Sequence, residues 1–116
     1  MKVSHLYAGQ DGESHFDEID IPLKDMWDYS QQSEIMKATT IFFREKSADY
    51  NRDWHNASHR QFVIILEGIM EIEIGDGTRR QFGPGEVFLA EDTTGRGHIT
   101  RSVGNQLRKY VFITLD

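Results

Sequence analysis

Cysteine is absent from the 116 residues. That excludes a disulfide frame, a thiolate zinc site and a thiol nucleophile, so any metal has to sit on histidine, carboxylate or amide ligands. Positive charge is also scarce: 13 Lys plus Arg stand against 19 Asp plus Glu, a formal net charge of -6. This balance speaks against nucleic acid or an anionic membrane as the main partner. No apolar run approaches membrane-spanning length, and the opening MKVSHLYAGQDGESH lacks the apolar stretch of a signal peptide. The expected location is the cytoplasm, with no membrane partner. No helical period is sustained for long. GDGT (75–78) lacks the later glycine and lysine of a phosphate cradle. Ser58 beside His59 is no triad, because strand neighbours face opposite ways and no third orienting group is evident.

What the chain does contain is a series of short strand-like runs broken by turn residues, on a length that suits one domain over 1–116. EIMKATTIFF (34–43) is rich in β-branched and aromatic residues, and QFVIILEG (61–68) is continuous enough for a strand buried on both sides or on a barrel wall. In IMEIEIGDG (69–77), Ile72 and Ile74 alternate with Glu71 and Glu73, the pattern of a strand with one wet face. Gly75-Asp76-Gly77 then predicts a hairpin turn, with Arg79-Arg80 solvated beyond it, and Gly83-Pro84-Gly85 a second tight turn before Val87-Phe88-Leu89. GHITRSVG and LRKYVFITL supply two more strands. Only 24–37 leaves room for a short helical turn. The fold class that follows is all-β, an antiparallel sandwich or barrel.

The stretch WHNASHRQFVIILEG (54–68) gathers His55, His59 and Gln61 at the head of an apolar strand. Together with GDGTRRQFGPGEVFLAEDTTGRGH (75–98) it resembles the cupin superfamily, in particular its small single-domain, cupin 2-like members. The likeness runs from Trp54 to about Val103; residues 1–50 supply further strands and connections, and 51–116 hold the motif region. It implies a double-stranded β-helix, or jelly-roll, barrel and, by habit of such proteins, a homodimer. Leu6, Tyr7, Phe16, Ile19 and Ile21 are the apolar surface that such an assembly would bury. In the family pattern two histidines and a glutamate precede a glycine, here Gly68, and a last histidine closes a second block. Carried onto this chain, the positions fall at His55, Ala57, Gln61 and, two residues late, His98. One imidazole and the carboxylate are therefore missing. Glu91 stands in place of a proline, Thr93 of a glycine and Ser102 of an asparagine.

Two functions fit these residues. One is a barrel that binds a small organic molecule, an acid or an aromatic, in its lumen over a degenerate metal site. Gln61, Trp54, Phe62, Glu91, Asp92 and Arg96 are its candidate contacts, Phe88 is a further lining aromatic, and 91–97 form either a rim loop over the mouth or a solvated loop in which Asp92 turns onto the threonine amides. The other is a metal-dependent enzyme, dioxygenase- or isomerase-like. If 55–61 is one extended strand, His55, His59 and Gln61 share a face, and His55, His59 and His98 become candidate ligands for zinc, nickel, iron or copper.

Overall fold

The computed structural model describes residues 1–116 as twelve strands with no helix. In chain order these are β1 (Lys2–Ala8), β2 (Ser14–Asp20), β3 (Lys24–Asp25), β4 (Gln31–Gln32), β5 (Thr40–Lys46) and β6 (Arg52–His55). The second half holds β7 (Gln61–Glu67), β8 (Met70–Glu73), β9 (Arg79–Phe82), β10 (Val87–Glu91), β11 (His98–Ser102) and β12 (Arg108–Thr114). Six strands form one sheet in the order β2-β1-β10-β7-β12-β5, and four form a second in the order β6-β11-β8-β9. No helix is long and apolar enough to cross a membrane.

Strand alternation explains the layering. In β7, Val63 and Ile65 point into the molecule and Leu66 out; in β8, Met70 and Ile72 point in while Glu71 and Glu73 face outward and pair with Arg79 and Arg101. The inward residues of the two sheets meet in a core that includes Leu6, Val63, Ile65, Ile72, Phe82 and Phe88. Both expected turns are present. Thr78 N–H donates to the Asp76 side chain and Ile74 N–H to the Thr78 carbonyl, while Glu86 N–H donates to the Gly83 carbonyl across Gly85, whose φ is +85°.

Three expectations change. Residues 24–37 hold no helical turn: β3 and β4 pair as a two-stranded hairpin whose Asp28 side chain accepts from Ser30 N–H and Oγ–H. The stretch has no apolar stripe to bury, and this local side-chain bond favours a turn. The pairing is not purely antiparallel, because β1 runs parallel to β10 while every other ladder is antiparallel. With 78 residues between the end of one and the start of the other, from Gly9 to Glu86, the connection does not constrain the direction. Finally, 54–61 is not one strand. β6 ends at His55 in the four-stranded sheet, residues 56–60 turn, and β7 opens at Gln61 in the other sheet. Facing parity therefore does not carry across from His55 to His59.

The N-terminal strands are integral to this arrangement. Leu6 is fully buried inside its own chain and Phe16 packs against the core, so β1 and β2 already have their apolar side covered. The large exposed apolar residues lie elsewhere, on Trp27, Tyr29 and Ile35 around the small hairpin and on Ile41, Phe43 and Leu66 of the outer sheet face.

Candidate functional site

Between the sheets lies a cavity of about 120 Å³ whose floor is apolar, with Val63, Met70, Ile72, Phe88, Ala90 and Phe112 contributing to it. His55, Gln61 and His98 stand in its wall, and Ala57 lies beside them.

The histidines are delivered by strand pairing. β6 and β11 run antiparallel with His55 directly opposite His98, and the ring centroids are 4.4 Å apart. Gly97 makes this approach possible. Its φ is +81°, and a Cβ there would stand 2.0 Å from the His55 carbonyl oxygen, so only glycine lets the loop close against β6 and start β11 at His98. Between these partners and Thr100↔Arg52 the register slips by one residue, a bulge in β6. That extra residue brings Arg52 into the lining with His55, although three positions separate them.

Hydrogen bonds then set which nitrogen each ring presents. His55 Nδ1 lies 2.7 Å from the Asp53 carbonyl, which can only accept, so Nδ1 carries the hydrogen and Nε2 is left over. His98 Nδ1 donates in the same way to Asp92 Oδ2 at 2.5 Å. Burial is the main cause that lowers the His55 pKa, to about 4, with the neighbouring His98 and Arg52 acting in the same direction, and the ring is neutral near pH 7. Gln61 is buried, and its Oε1 has no hydrogen-bond partner.

The loop from Glu91 to Gly97 takes no part in the lining. Asp92 is fully buried behind His98; instead of capping threonine amides its carboxylate accepts from Ser14 Oγ–H and His98 Nδ1–H. Asn56 Nδ2 donates to the carbonyls of Asp92, Thr94 and Gly95, at 3.3, 2.9 and 3.0 Å, and Arg96 N–H donates to the Gly12 carbonyl, so the loop is fastened down. Arg96 lies over the Trp54 ring at 4.4 Å and pairs with Glu13, which occupies both side chains outside the cavity. Glu91 faces the other way and pairs with His5 and Arg60. Phe62 is on the outer side of β7, where it lines a separate surface depression with Ile113 and Leu115. His59 is exposed and its Nδ1 is 3.2 Å from Ser58 Oγ. Of the nine sequence candidates, the cavity brings together His55, Gln61 and His98.

That donor set does not suit a resident transition metal. No group of three or more His, Asp and Glu side chains is arranged to hold one, and the fourth position of the motif is the methyl group of Ala57.

What sequence reasoning missed is the basic part of the wall. Arg44 and Lys46 from β5, Arg52 from β6 and Arg108 from β12 all line the cavity, and no Asp or Glu does. The available signal was the alternation Phe42, Arg44, Lys46 and, on the partner strand, Arg108, Tyr110, Phe112, each a period-2 set. An arginine on the inner face runs against ordinary core composition, so the pattern does not read as a lining.

No protein-family model and no curated protein sequence matches the chain. Solved structures do. The crystal structure of protein NMB1881 from Neisseria meningitidis is 22% identical, with a TM-score of 0.52 over 80% of this chain and 88% of the other. The cupin domain of Cnp3 from Schizosaccharomyces pombe is 13% identical, with a TM-score of 0.54 over 89% and 73%. A putative ethanolamine utilization protein Q from Salmonella typhimurium aligns over 99% and 95% at 10% identity and a TM-score of 0.45. At these identities the likeness speaks to fold and not to chemistry. With two sheets of the expected strand pattern and a cupin domain among its structural neighbours, the chain has an all-β jelly-roll fold of the cupin type.

Proposed function

We propose that this chain is a binding module that holds a small organic molecule in the cavity between its sheets, as a cytoplasmic protein. The observation that carries the reading is the union of an apolar floor with a few convergent polar groups, His55, Gln61 and His98, the usual make-up of a small-molecule site. The cavity has room for about ten water-sized positions, taking 10–15 Å³ for each. That suits a ligand of roughly ten non-hydrogen atoms. A metal-dependent enzyme using His55, His59 and His98 is the weaker reading, because His59 stands outside and two imidazoles fall short of the usual three protein ligands.

The test is occupancy of the cavity by small aromatic probes, followed by NMR shifts of the amides around Gln61 and His98. Binding should be abolished by Ala90→Leu, which places extra atoms in the lining while leaving the outer surface untouched. Probes that shift the same amides equally in the variant would place binding elsewhere and defeat the reading. We further propose that a second copy of the chain pairs along β5, the edge strand of the larger sheet, where Ile41 and Phe43 are exposed. A single monomeric species in sedimentation at micromolar concentration would count against this assembly.

A further inference from the structure

In a chain of net charge -6, the cavity wall carries Arg44, Lys46, Arg52 and Arg108 and no carboxylate. Of the nine lysines and arginines outside the cavity six are ion-paired, Lys24, Arg60, Arg79, Arg96, Arg101 and Lys109, while Lys2, Lys37 and Arg80 are not. None of the cavity cations is ion-paired.

Arg108 is the most telling. It is only 1% exposed, yet one nitrogen alone is bonded, Nη2 donating to the Tyr50 carbonyl at 2.8 Å. Its Nε and Nη1 are buried without a partner. A buried guanidinium keeps its charge, so two unanswered donors in the interior carry a large desolvation cost. The β12–β5 ladder makes matters worse, because Arg108 sits directly opposite Lys46, and like charges across a ladder repel. Lys46 lies over the Tyr50 ring at 3.8 Å, and burial followed by Arg44, Arg108 and Arg52 pulls its pKa below the ordinary lysine value.

Resting on the reading of the cavity as a small-molecule site, we propose that its ligand is an organic oxyanion. The head group accepts from an unpartnered donor of Arg108, Nε or Nη1, with Lys46 and Arg44 beside it, and the apolar body lies on Phe88, Phe112 and the floor. A carboxylate and a phosphate both accept charge-assisted hydrogen bonds from a guanidinium N–H. The apolar floor asks for a carbon body in either case, which an inorganic ion lacks.

Calorimetric titration at pH 7.5 and low salt with benzoate, phenyl phosphate, benzamide and inorganic phosphate tests this, with NMR shifts of cavity amides locating each probe. Benzoate or phenyl phosphate should bind at least tenfold more tightly than benzamide and inorganic phosphate, and whichever of the two is tighter identifies the head group. Arg108→Met should weaken the anion about thirtyfold or more and leave benzamide unchanged. Should that variant fail to fold, Lys46→Met, at a half-buried position of the lining, should still weaken the anion severalfold. Benzamide binding in the cavity as tightly as the anions would overturn the oxyanion assignment while leaving the small-molecule reading intact. Failure of all four probes to shift cavity amides would overturn both. Inorganic phosphate binding as tightly as phenyl phosphate would remove the role of the apolar body and defeat the proposal in that form.

Discussion

β8 and β5 are both strands with strict alternation, and they use it in opposite senses. β8 turns Met70 and Ile72 inward and leaves Glu71 and Glu73 to ion pairs on the surface. β5 turns Phe42, Arg44 and Lys46 toward the cavity and leaves Ile41 and Phe43 60% and 72% exposed. The first strand is organised for the stability of the core, since each buried aliphatic side chain contributes about 1.5–3 kcal/mol. The second holds charge inside and apolar surface outside, an arrangement that costs stability unless something else answers it. Its inward cations call for a counter-charge and its outward side chains for a covering surface, so the ligand and the second copy proposed above would both fall on this inverted strand.

Substitutions can break or sharpen this contrast. On the conventional strand Ile72→Ala should cost about 2–5 kcal/mol in urea unfolding, as a fully buried aliphatic deletion does. A cost under ~1 kcal/mol would mean that β8 is not the packed strand described. At the junction between the sheets, Gly97→Ala should cost about 1–3 kcal/mol or more, because alanine resists a φ of +81° and its Cβ would meet the His55 carbonyl. The His55 and His98 ring resonances should move in the same variant; unmoved rings with full stability would dissociate Gly97 from the site.

Protonation gives an intermediate effect. His55 should titrate by NMR near pH 4 rather than at its ordinary value of 6.5. Since the folded pKa is depressed, the unfolded chain binds this proton first as pH falls. The contribution of the neutral ring to stability is thus complete above about 6.5 and is lost between there and about 4. A midpoint near 6.5 would show the ring to be solvated. On the inverted strand, Lys46→Met in anion-free buffer should raise stability by about 0.2–1 kcal/mol, because it removes the charge opposite Arg108. A loss instead of a gain would mean that β5 is not in conflict with β12. Smallest of all, Phe43→Ser should shift monomer stability by no more than about 0.5 kcal/mol, and should weaken self-association if a second copy covers that face. Equal sedimentation of the two proteins would leave β5 without a partner there.

Much of the conventional half was legible beforehand. The alternation of β8, the hairpin at Gly75 to Gly77 and the turn at Gly83 to Gly85 are local, and each is written in neighbouring residues. His55, Gln61 and His98 are positions that the resemblance to the cupin pattern implies, and the cavity lining holds all three. Trp54 and Phe62 as aromatics and Glu91, Asp92 and Arg96 as a charged loop also suit a lining by residue type, yet none of the five reaches it. Residue type did not carry them to the cavity, since strands reverse face at every residue and loop side chains follow the partners they find. His59 shares a face with His55 only in a single strand, and β6 and β7 belong to different sheets.

By itself, the sequence determined the short, turn-punctuated strands, the apolar set that fills the core and the absence of thiol chemistry, because these depend on residue type and on spacing within a few positions. Only the tertiary structure decided what lines the cavity. Lys46 and Arg108 become opposite partners when β12 pairs with β5, and His55 meets His98 when β11 pairs with β6, contacts across 62 and 43 positions that no local pattern encodes. The same pairing left Arg108 buried with donors unanswered, and that is a property of the folded wall and not of any segment of the chain.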